Sequence, residues 1–84
     1  MKRAKFGKTG LPVITVHWED STTYMGWSSI KRPWSVQTIF TTGYLISEDK
    51  RTITVGASVD PDGDTTDAIT IPRGCIKSVR KHGL

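Results

Sequence analysis

The chain has 84 residues, 36% of them apolar, and a net charge of +4. That size allows one small domain with a thin core. The single cysteine, Cys75, excludes an intrachain disulfide and points to a reducing compartment, and no apolar run approaches the ~18 residues of a membrane-crossing helix.

Residues 1–10 carry Lys2, Arg3, Lys5 and Lys8 without an acid. No apolar stretch follows Met1-Lys2-Arg3, so no signal peptide is expected. This segment reads as a flexible basic arm, and residues 11–84 as the domain. The first predicted strand is Val13-Ile14-Thr15-Val16-His17-Trp18. It alternates, with Ile14, Val16 and Trp18 on one face and Val13, Thr15 and His17 on the other.

Between Thr22 and Trp34 the pattern is neither helix nor strand. This loop holds Tyr24, Trp27 and Trp34, three of the seven aromatic residues, beside Lys31 and Arg32. Aromatic faces next to cations suit planar or anionic ligands. Trp27 and Trp34 are equally suited to capping a small core or to forming a subunit interface. All three roles remain open at this point.

The next extended run, Val36 to Ser47, does not fit one continuous alternation, and Gly43 is the expected bulge or bend. Glu48-Asp49-Lys50-Arg51 is a charged turn. Beyond it, Thr52 to Val59 alternates with Ile53, Val55, Ala57 and Val59 inward, which predicts a hairpin. Asp60-Pro61-Asp62-Gly63-Asp64 is a turn by composition. Its glycine comes too early for a calcium loop, and no Glu stands six residues beyond it, so solvated acids at a hairpin tip are the expectation, with no metal. A short strand with Ile69 and Ile71 inward follows, then a break at Pro72-Arg73-Gly74-Cys75. The last strand is Ile76 to Arg80. Residues 73–84 carry Arg73, Lys77, Arg80 and Lys81, again without an acid, so the two ends sum to +8 and the body to −4. Basic ends of this kind can neutralise phosphates.

Five short strands leave exposed edges unless they curl into a barrel. The ending Ile69-Thr70-Ile71-Pro72-Arg73-Gly74-Cys75-Ile76-Lys77-Ser78-Val79 resembles the close of an SH3-like barrel, where one short helical turn separates the last two strands; Sm-like barrels close in a related way. The resemblance implies an all-β, five-stranded SH3-like or Sm-like barrel, with a long loop after the first strand and a short helical turn before the last. A wider pattern comprises Trp18-Glu19-Asp20, Gly26-Trp27, Thr42-Gly43-Tyr44-Leu45-Ile46, Ile71-Pro72-Arg73-Gly74 and Ser78-Val79. It is similar to small uncharacterised proteins of bacteriophages and prophages, which implies an origin more than an activity.

Catalysis is not expected. His17 and His82 are the only histidines, Cys75 reads as small core filler, and no phosphate loop, metal-protease motif or paired cysteines occur. The functional expectation is a non-enzymatic, cofactor-free module in the host cytoplasm, binding nucleic acid or a nucleotide, in one variant a host nucleotide signal. Trp27 and Trp34 would stack, Lys31, Arg32 and Arg73 would hold phosphate, and Lys77 and Arg80 would extend a basic face. The alternative is a protein-interaction or virion structural module in which the same loop is a subunit interface. Homo-oligomers are expected either way, since so small a core gains from association.

Overall fold

The alternation along the first strand becomes a buried stripe. Ile14 and Val16 are sealed from solvent and Trp18 nearly so, while Val13, Thr15 and His17 face outward and are half-exposed. The computed structural model describes residues 9–83; residues 1–8 and Leu84, and with them most of the basic arm expected over residues 1–10, lie outside. The strands are β1 (Val13–Asp20), β2 (Gln37–Glu48), β3 (Thr52–Gly56), β4 (Ser58–Val59), β5 (Thr65–Thr66), β6 (Ile69–Pro72) and β7 (Ile76–His82), with a 3₁₀ turn at Arg73–Cys75. Five of them form an antiparallel sheet in the order β6-β3-β2-β1-β7, and β4 and β5 pair as a separate ribbon. No helix among the described residues is long and apolar enough to cross a membrane.

The sheet is coiled. A flat five-stranded sheet sets its edges about 19 Å apart. Here the two edge strands are joined by the four Cα links from Pro72 to Ile76, which reach at most about 14 Å when fully extended. The edges must therefore approach each other at this end. They form no ladder with one another, so the sheet is not the closed barrel that the sequence suggested.

Strand β2 makes the coil possible. Its first part, Gln37 to Tyr44, pairs with β1, and its second part, from Tyr44 on, pairs with β3. Gly43 sits at the changeover. A Cβ there would lie 2.5 Å from the Gly56 carbonyl oxygen and 2.8 Å from Val55 Cγ1, so the close crossing of β2 and β3 requires glycine. The bulge itself falls three residues later, where Leu45 opposes Val55 and Ser47 opposes Thr54, leaving Ile46 as the extra residue.

The core is Ile14, Val16, Trp18, Ile53, Val55 and Ile71, with Ile39, Leu45, Cys75 and Ile76 packed around it. Each fully buried Ile or Val contributes about 1.5–3 kcal/mol. Trp18 satisfies its indole N–H by donating to Thr41 Oγ1 at 2.9 Å. The inward alternation expected through Val59 stops sooner: β3 ends at Gly56, Ala57 is exposed, and Val59 belongs to the ribbon. The reason is again a close approach, since a Cβ on Gly56 would overlap Thr65 Oγ1, at the point where the chain departs into the ribbon.

Two turns are tied by carboxylates. Asp49 Oδ1 accepts the amides of Arg51 and Thr52 at 2.7 and 2.8 Å, closing the β2–β3 hairpin. Asp60 Oδ1 accepts the amides of Asp62 and Asp64, each at 2.9 Å, and so shapes the acidic tip of the ribbon.

Candidate binding surface on the β1–β2 loop

Residues 21–36 connect β1 to β2 and hold most of the sequence-predicted site. Asp20 Oδ1 accepts the Ser21 amide at 2.8 Å as the strand ends. Gly26 takes φ +74°, the left-handed turn that sends the chain into Trp27. Ser29 then makes a tight turn, its carbonyl accepting the Arg32 amide at 3.2 Å and its hydroxyl the Lys31 amide at 3.2 Å. Pro33 directs the chain back toward β2.

The base of the loop packs on itself. The Arg32 guanidinium lies 4.4 Å from the Tyr24 ring centre and 5.4 Å from the Trp34 ring. The two rings meet edge to face at 5.0 Å. The Trp34 indole N–H donates to the Ile30 carbonyl at 3.0 Å, and the Tyr24 hydroxyl to the Ser35 carbonyl at 3.4 Å. Hydrogen bonding to the Ser35 side chain, then to its backbone, and the Arg32 charge hold the Tyr24 phenol below its usual value. The rings of Tyr24 and Trp34 border a shallow, solvent-open depression that Ser21, Thr22, Ser35 and Val36 complete.

The tip of the loop does the opposite. Trp27 is fully exposed, at 105%, and Met25 and Ile30 are almost as open. Neither tryptophan belongs to the core; Trp34 is 52% exposed and packs only within the loop.

The predicted phosphate-binding cations do not converge. Arg32 faces its own aromatic neighbours. Arg73 donates from Nε to the Asp49 carbonyl at 2.7 Å and pairs with Glu48 at 3.4 Å, latching the 3₁₀ turn to the β2–β3 hairpin. Lys77 pairs with Glu19 at 2.7 Å, and the hydrogen bond and charge of Glu19 raise its ammonium above the ordinary value. Lys31 has no ion-pair partner among the described residues, and Arg80 lies exposed on β7 opposite Thr15.

Exposed apolar residues not singled out from the sequence include Met25, Ile30 and Phe40, and Ile69, expected inward, is 37% exposed because β6 is an edge strand. Ile30 and Met25 carried a signal, being apolar residues in a segment without periodicity. Phe40 carried none, because the face it takes depends on the register of β2. Comparisons of the chain with protein families, with characterised proteins and with solved structures find no match.

Proposed function

We propose that the chain is a non-enzymatic interaction module of the phage or prophage type that its motifs resemble, working in the host cytoplasm, whose β1–β2 loop forms an interface with a second copy of the chain. The observation that carries this is the loop tip. Met25, Trp27 and Ile30, all within six residues of chain, each present their apolar surface to solvent on an element held in shape by the Tyr24–Arg32–Trp34 cluster. Apolar residues gathered on one exposed element mark interaction surfaces, and Trp is among the residues that dominate them. A nucleotide pocket in the loop is the weaker reading, because Arg32 and Arg73 already have partners.

The scaffold we read as an open relative of the SH3-like and Sm-like barrels. Support comes from the first strand lying between β2 and the last strand, from the long bent β2, and from the 3₁₀ turn between β6 and β7.

Sedimentation of the chain over a rising concentration series tests the functional reading. Reversible self-association is expected for the wild type. The Trp27→Ser/Ile30→Ser variant should be monomeric at an unchanged melting temperature, since neither side chain supports the fold. A wild type that stays monomeric into the high micromolar range, or a variant that associates as well as the wild type, refutes it.

A further inference from the structure

The depression at the base of the β1–β2 loop is bordered by Tyr24 and Trp34, and its residues Trp34 and Val36 are each about half exposed. Trp27 stands three residues beyond Tyr24 on the same loop and is fully exposed, so it does not sit in the depression of its own chain. One loop therefore carries a large apolar side chain without a receiver and an aromatic-walled depression that the chain leaves open.

The receiving rings are fixed in advance. The Ile30 carbonyl holds the Trp34 N–H, the Trp34 ring meets Tyr24 edge to face, and the Arg32 guanidinium lies against both. A group that enters meets a shaped surface, and little side-chain freedom is lost on contact. None of the six lining residues carries a formal charge, which favours a neutral occupant. An indole fits that description, and aromatic rings gain from edge-to-face and offset contacts beyond the area they bury.

The area is of the right size for a second copy. A tryptophan covers up to about 250 Å² when buried. With Trp27 wholly open and Trp34 half open, the two offer roughly 400 Å² per chain. A standard interface takes about 800 Å² from each partner. The two tryptophans thus supply about half of it, and Met25, Ile30 and Val36 are open to add to the rest. Two tips meeting face to face would cover Trp27 on one side only and leave Trp34 and Val36 bare. Two loops lying antiparallel cover all of them. The two-fold rotation that brings one tip to the other chain's depression brings the second tip to the first.

From this we infer that the β1–β2 loops of two copies clasp each other reciprocally, Trp27 of each copy seated on the depression that Tyr24, Trp34 and Val36 border in the other. The inference rests on the assignment of this loop to self-association, and adds to it the receiving surface, a stoichiometry of two and a closed symmetry.

Sedimentation of two variants, alone and mixed, tests the clasp. Trp27→Ser/Ile30→Ser removes the tip and keeps the depression. Thr22→Glu/Val36→Glu charges the depression and keeps the tip. Both of its positions are exposed and outside the strands, so its melting temperature should stay near that of the wild type. If the double variant melts early, Thr22→Glu alone takes its place. The wild type should stop at the dimer. Each variant alone should associate at least about thirtyfold more weakly, as loss of a central tryptophan contact does. Their equimolar mixture should associate more tightly than either variant alone, because the mixed dimer keeps one of the two contacts whole. A wild type that stays monomeric removes the self-association and the clasp with it. A wild type that dimerises, with a depression variant that dimerises equally well, refutes the clasp alone and leaves contact between tips. A mixture no tighter than its components refutes it as well, as does a wild type that grows past the dimer with concentration.

Discussion

Asp49 shows how much one exposed side chain can fix. Its carboxylate accepts the Arg51 amide, the Thr52 amide and the Thr52 hydroxyl, and its backbone carbonyl receives Arg73. The hydrogen bonds from Arg51 and Thr52, ahead of the Arg73 charge, hold its pKa below the ordinary carboxylate value. A depressed folded-state pKa means stability that is present above the unfolded value, about 3.9, and is lost as pH falls through the lower folded value. Melting temperature should therefore fall on acidification below about pH 4, and Asp49→Ala should lower it at neutral pH while removing part of that acid dependence. A pH series of thermal melts on both proteins checks this; identical acid dependence would show that the turn carboxylate is inert. Gly43 is the second residue on which much depends. Gly43→Ala should cost roughly 1–3 kcal/mol in urea unfolding, because the added methyl meets backbone and not a movable side-chain end.

Among the elements, the β1–β2 loop and β2 divide the labour. The loop base is ordered by contacts that the sequence made visible, aromatics beside Arg32, yet these satisfy one another and build no ligand pocket on their own. Exposed cation–π contacts are worth about 0.5–1 kcal/mol, so Arg32→Ala should change global stability by no more than that and instead loosen the loop, read as a shift in tryptophan emission. An unfolded Arg32→Ala variant would mean that the cluster supports the sheet. Strand β1 was legible from Val13 to Trp18, because a two-residue period with β-branched residues has a single reading, but its last two residues, Glu19 and Asp20, carry no such signal and still pair with β2; the β2–β3 hairpin followed from its charged turn. Of the bulge or bend expected at Gly43, the change of partner strand is there and the bulge lies three residues on. Gly43 announced a constraint, but a glycine sequence signal does not distinguish a close crossing from a bulge, and Ile46 looks like any other apolar strand residue. The fate of Trp27 was not legible either: composition leaves a tryptophan in a loop free to cap the core, and only the placement of Trp18 across it, with its N–H on Thr41, shows that the core is already filled.

At the scale of the molecule, stability rests on few side chains. A domain of this size holds about 4–13 kcal/mol in total. Ile53→Ala, at a fully buried position opposite Ile71, should remove about 2–5 kcal/mol of it. Urea unfolding of that variant is therefore expected to show a midpoint lowered by a large fraction, whereas the loop-tip variants keep theirs. The closed barrel expected from five short strands was the reasonable inference from edge protection, but sequence cannot count ladders. The edges are brought together by the 3₁₀ turn and by Arg73 reaching back to Glu48 and Asp49, and they remain unpaired with each other.

The pairing of Val13 with His82 places the first and last strands of the sheet side by side at the same end. The order in which the strands occur along the chain is thus separable from the shape they build. A permuted gene that joins residue 83 to residue 12 through a few glycines, and begins instead within the loop at residue 28, should still give the same sheet and the same melting behaviour. It would also carry its new termini on the loop, converting the surface that we assign to self-association into a pair of chain ends and so separating the scaffold from its interface in one molecule.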